Sequence, residues 1–156
     1  SQTERRSIDC PAPPAKNETQ RNLALEKKVF AKADDIKSVL QPEAKAKLDI
    51  IVKEVRDRMV STPAGADYYA LAQQEVNKKF AKLSVKQSKL LCFYVLAEVA
   101  RILAGSGNSD EVSDLTEQRQ LQLQNLMDER SQVENTLSNT LKAFENTQND
   151  LVANLK

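Results

Sequence analysis

"LLCFYVLAEVARILAG", residues 90–105, decides the fold. Eight apolar or aromatic residues run unbroken from Leu90 to Ala97 in a chain that is otherwise strongly polar. A bilayer-spanning helix needs about 20 predominantly apolar residues. This run offers 15, from Leu90 to Ala104, and Glu98 and Arg101 interrupt it. Those two stand three apart and can pair along a helix surface. A membrane span is not expected. A helix that is apolar nearly all round is one surrounded by other helices, so the segment is predicted to be the central helix of a bundle. Ser84 with Gln87 makes a capping box at its start, and Gly105 suits a left-handed cap at its end.

Working back from it, three amphipathic helices are predicted to surround this fourth one. The second has the cleanest pattern: Ala44, Leu48, Ile51, Val52, Val55 and Met59 form a single stripe. Gln41 before Pro42 is expected to be extended, with Pro42 opening the helix. The turn chemistry of "STPAGAD", residues 61–67, closes it. The first helix starts at an Asn17–Gln20 capping box and shows Leu23, Phe30, Ala33, Ile36 and Leu40 on one face. The third shows Tyr69, Ala72, Val76, Phe80 and Leu83, with one of Tyr68 and Tyr69 facing the core and the other water.

Working forward, residues 108–156 contain no Gly and no Pro, and Asn108 with Glu111 can cap their start. Leu123, Leu126, Arg130, Val133, Leu137, Thr140, Phe144, Thr147 and Leu151 follow steps of three and four, an imperfect heptad seam. One continuous helix here would be roughly 70 Å long, too long to pack wholly on a small bundle. It is expected either to carry a free end that meets another protein or to fold back as a helical hairpin. Asn and Gln make up 13 of the 52 residues from Gly105 onward, giving this helix a neutral polar face. Residues 1–16 hold three Pro directly after Cys10 and few large apolar groups, and read as an extended arm.

The resulting expectation is an all-α chain of three parts. An arm (1–16) precedes a compact four-helix core (17–105), and a long C-terminal helix with coiled-coil-like periodicity (106–156) follows. The scarcity of Gly (3) and Pro (5) and the abundance of Ala, Leu, Lys, Glu and Gln agree with it. The chain opens on Ser1, the start that a removed leader or a cloning boundary would leave, and no signal peptide is legible in it.

Charge divides the chain. Net charge is +1, but residues 105–156 hold four Lys/Arg against nine Asp/Glu, leaving 19 against 13 in residues 1–104. Halves of opposite sign can pack together or pair head to tail between copies. The densest basic stretch carries Lys78, Lys79, Lys82, Lys86 and Lys89, with no acid between Glu75 and Glu98. Lys78 and Lys79 close the third helix, where cations suit the helix dipole. Lys86 and Lys89 open the fourth, where they do not. Something acidic is expected to face this corner, with the acidic C-terminal helix, an acidic partner and lipid head groups as candidates.

Catalytic chemistry finds little support. The chain has no His, which removes the commonest general base and metal ligand. Cys92 in the apolar helix reads either as a small buried hydrophobe or as the disulfide partner of Cys10. A bond would pin the arm across the bundle and imply an oxidising compartment, periplasmic or secreted rather than cytoplasmic. Carboxylate pairs such as Asp34–Asp35 and Asp128–Glu129 read as solvated surface, and no phosphate loop, dinucleotide fingerprint or nucleophile elbow occurs.

The functional expectation is a non-enzymatic interaction protein without cofactor or metal, a structural component of a larger complex. It would act through the arm, the lysine corner and the seam of Leu126, Val133, Leu137, Phe144 and Leu151. The partners expected are other proteins or further copies of the chain, with an anionic surface as an additional candidate; nucleic acid is not expected. The alternative is a binder of a small apolar ligand or lipid, with a cavity lined by Tyr69, Phe93 and Tyr94.

Overall fold

The computed structural model describes residues 23–61, 67–105, 117–118 and 130–156. Among them the protein is all-helical, with no strand. Helices α1 (Leu23–Val39), α2 (Pro42–Val60), α3 (Tyr68–Lys79), α4 (Val85–Gly105) and α5 (Arg130–Phe144) are followed by a 3-10 helix at Asn149–Val152. The arm, the Asn17–Gln20 and Asn108–Glu111 caps, Cys10, Leu123, Leu126 and the Asp128–Glu129 pair lie outside the described residues.

The central position of the apolar helix holds. Every residue from Leu90 to Ala97 is buried, as are Val99, Ala100 and Leu103. α4 packs against α1, α2, α3, α5 and the 3-10 helix, with the touching pair α2–α3 and the touching pair α1–α5 around it. Burying each of its large apolar side chains contributes about 1.5–3 kcal/mol, so the segment is the main source of cohesion. Its capping box forms as predicted. The Ser84 N–H donates to Gln87 Oε1 at 2.9 Å, and the Gln87 N–H donates to Ser84 Oγ at 3.1 Å.

The α2 stripe is buried at all six positions. Gln41 is extended before Pro42 at the first turn, and the Ser61 N–H closes the helix on the carbonyls of Arg58 and Met59. α3 has an N-cap that its apolar pattern did not reveal: Asp67 accepts from the Ala70 N–H at 3.0 Å. Tyr68, not Tyr69, is its deeply buried tyrosine. In α1 the buried line is Glu26, Val29, Ala33 and Ile36, while Leu23, expected inside, is exposed.

The C-terminal region departs from the continuous helix expected. α5 stops at Phe144 after 15 residues, a length of roughly 22 Å. The run Glu145–Asp150 brings together Asn, Thr and Asp, whose side chains compete with helical backbone bonds. The chain then turns back, and Val152 of the 3-10 helix is wholly buried. Leu151, placed by periodicity on the seam of one long helix, instead sits in this returning segment. Thr140, a polar residue on the seam, satisfies its hydroxyl within α5 by donating to the carbonyls of Thr136 and Leu137.

Candidate functional site

Each expected interaction surface has a definite place. Val133, Leu137 and Phe144 are buried in the chain's own core, where α5 meets α1 and α4. Phe144 packs against Phe93 with ring centroids 6.3 Å apart and planes tilted by 59°. These three residues are therefore covered from within, whereas the sequence reading held them open for a partner. An apolar stripe requires a cover but does not say which molecule supplies it.

The returning C-terminal segment is held by a device with no sequence signature. Four side chains, from α1, the residue before α2, α2 and α4, donate to its backbone carbonyls. Lys32 Nζ reaches Thr147 O at 2.9 Å and Gln41 Nε2 reaches Ala153 O at 3.1 Å. Lys47 Nζ reaches Lys156 O at 2.7 Å and Gln87 Nε2 reaches Leu151 O at 2.9 Å. Burial lowers the Lys32 ammonium from its ordinary value, with Asp35 opposing that shift. Lys47 also lies 5.1 Å from the centroid of the Phe80 ring.

Gln87 thus joins two features that sequence treated separately. It caps α4 at the lysine corner and fixes residue 151 beside it. The five lysines divide there. Lys78 pairs with Glu75 at 3.4 Å and Lys79 with Glu54 at 3.9 Å. Lys82, Lys86 and Lys89 are exposed and make no ion pair among the described residues. No described acid of α5 or the C-terminal segment closes on the corner. Lys82 has φ 61°, the left-handed region that favours glycine. Two apolar side chains are exposed at the same end of α4: Val85 at 69 % and Leu151 at 37 %.

Cys92 is a free, fully buried thiol. Burial pushes its pKa up to about 12, with a bond to Ser88 opposing the shift. The Tyr69 hydroxyl, half-buried nearby, is likewise raised to about 12, by burial and then by the Cys92 charge. Phe93 and Tyr94 are wholly buried. Among the described residues no group of three His, Cys, Asp or Glu is placed to hold a metal ion, and no helix is long and apolar enough to cross a membrane.

Two ion-pair clusters went unread in the sequence. Arg58 of α2 meets Glu75 of α3 at 2.7 Å. Arg101 of α4 meets Asp34 of α1 at 2.7 Å and Glu98 at 3.2 Å, while Lys37 meets Glu98 at 3.3 Å. Asp34, taken as plain solvated surface, is therefore a cross-helix partner. Arg101 also stacks over the Phe30 ring, 4.8 Å from its centroid. Only the Glu98–Arg101 member was legible, from its spacing of three. Compared with known proteins, the chain matches no family model, no curated protein and no solved structure.

Proposed function

We propose that this chain is a non-enzymatic helical interaction protein, a component of a larger assembly, and that it docks an acidic protein surface on the basic corner at the start of α4. The observation that carries the reading is the state of Lys82, Lys86 and Lys89. All three are exposed and without an ion pair among the described residues, at a helix end whose dipole disfavours cations. Val85 and Leu151 add exposed apolar groups at the same end of α4, giving a partner both apolar and basic side chains to meet, as interfaces combine them. The capping box and the Gln87 bond to Leu151 hold the surface in shape before a partner arrives, which limits the ordering cost of binding. Lys82 adds weight: a lysine occupies a backbone conformation where glycine would be cheaper.

In this reading the working surface moves from the C-terminal seam, whose Val133, Leu137 and Phe144 are buried, to the lysine corner. The Pro-rich residues 1–16 are retained as a second contact that would strengthen binding by linkage. Affinity capture from the native extract, comparing the full chain with a Lys82→Gln/Lys86→Gln/Lys89→Gln variant, tests it. An acidic protein retained by the parent, released by salt and absent from the variant supports the reading. The same proteins recovered equally with both would sink it.

A further inference from the structure

Three residues of α4, Tyr94, Glu98 and Arg101, follow one another at steps of four and three and so share a helix face. Each carries a buried polar atom with no hydrogen-bond partner among the described residues: the Tyr94 hydroxyl, Glu98 Oε2 and Arg101 Nε. The other atoms of these groups are engaged. Glu98 Oε1 takes Lys37 at 3.3 Å, and Arg101 Nη2 donates to Asp34 Oδ1 at 2.7 Å and to the Phe30 carbonyl at 3.3 Å. Arg101 Nη2 also lies 3.2 Å from Glu98 Oε2, an ion-pair distance without hydrogen-bond alignment. The Tyr94 ring is wholly buried, and its hydroxyl feels the charges of Glu98, Asp49, Arg101 and Asp34. These three unmet atoms therefore lie along one face of α4, the face that meets Phe30, Asp34 and Lys37 of α1.

Their chemistry selects the occupant. A hydroxyl that donates and accepts, an anionic acceptor and a cationic N–H donor are together matched by a molecule that does both. An apolar ligand meets none of them, and no metal-binding group forms there among the described residues. Buried polar groups in folded proteins are nearly always paired, and internal water does this where protein does not. Glu98, 15 % exposed, and the more open Arg101 and Asp34 give a way in from solvent. We propose that α4 carries an internal water site, floored by the Tyr94 hydroxyl and bounded by Glu98 Oε2 and Arg101 Nε.

Tyr94→Phe in the full chain separates the wet site from a dry one, because the two respond in opposite directions. In a wet site the variant strips the water of a partner, lowering the folding equilibrium constant by roughly 5- to 10-fold. In a dry site it deletes an unpaired hydroxyl, and the variant is as stable as the parent or more so. Water-oxygen magnetic relaxation dispersion gives an independent readout. The number of long-lived internal waters should fall in Tyr94→Phe and persist in Glu98→Gln, which keeps an acceptor oxygen at that position. A water count unchanged by Tyr94→Phe, or a variant at least as stable as the parent, overturns the proposal.

Discussion

Arg58 Nη1 and Glu75 Oε2 lie 2.7 Å apart, with the Glu75 side chain only 6 % exposed and the Arg58 side chain 39 % exposed. A carboxylate is thus seated between α2 and α3 by a guanidinium that still reaches water. Burial alone would raise the Glu75 pKa; hydrogen bonds and charge from Arg58 and Lys78 outweigh it and hold the carboxyl below its ordinary value. Arg58→Ala should destabilise the fold by about 1–2 kcal/mol at neutral pH. That is less than the full cost of breaking a deeply buried pair, because the arginine is solvent-screened.

The same pair sets a pH dependence with a definite sign. A carboxyl depressed in the folded state contributes its full stabilisation above its unfolded pKa, near 4.3 for Glu, and loses it as pH falls through the folded value. The stability gap between the parent and Arg58→Ala should therefore be widest at neutral pH and close below about pH 4. Urea unfolding across that range measures it. A gap that stays constant would mean that the arginine stem, and not its charge, is what matters.

Phe144 and Leu151 were both expected on one seam, and the structure separates them. Phe144→Ala should cost about 3–5 kcal/mol, as for other buried aromatics. Leu151→Ala should change stability by less than about 0.5 kcal/mol. Denaturation at two protein concentrations checks both. Equal losses that grow on dilution would restore the intermolecular seam.

For Cys92, a pKa near 12 leaves a thiolate fraction of only ~10⁻⁴ at pH 8. In a Cys10→Ser background the native protein should resist a thiol-reactive dye and take up one equivalent once unfolded in urea. Prompt labelling of the native protein would show that the α4 core opens readily.

Lys82→Gly should raise stability by about 0.5 kcal/mol, because left-handed strain at a side-chain-bearing residue exceeds the entropy that glycine loses on folding. The same variant should weaken capture of an acidic partner. A fall in melting temperature would mean that the lysine side chain is tied into the fold.

How far the sequence could be read depended on whether the structure uses pattern or contact. The α2 stripe was legible at every position because one face packs and the other does not. The unbroken run Leu90–Ala97 announced a helix enclosed on all sides, and α4 is that helix. Glu26 and Glu75 were missed although they lie on the buried faces of α1 and α3; a search for apolar spacing passes over charged residues. The end of α5 was missed because neither Gly nor Pro marks it. The hold of Lys32, Gln41, Lys47 and Gln87 on the C-terminal segment gave no signal, since a polar side chain bound to a distant carbonyl looks like one bound to water.

At the candidate surface, sequence named the five lysines but not their division. Lys78 and Lys79 find acids on α3 and α2, Glu75 and Glu54, whereas Lys82, Lys86 and Lys89 find none among the described residues. That distinction depends on how helices are placed in space. Leu151 reached the same corner by a turn of the chain that helical periodicity could not express.

The four donors that hold the C-terminal segment all bind main-chain oxygens, at residues 147, 151, 153 and 156. Every amino acid supplies such an oxygen, proline included, so side chains at those positions are replaceable without loosening the grip. Buried Val152 is the residue there whose shape matters most. Anchoring and display are thereby uncoupled: the outward side chain at position 151 is free to change through mutation, altering the surface the proposed docking corner would present while the backbone beneath it stays fastened.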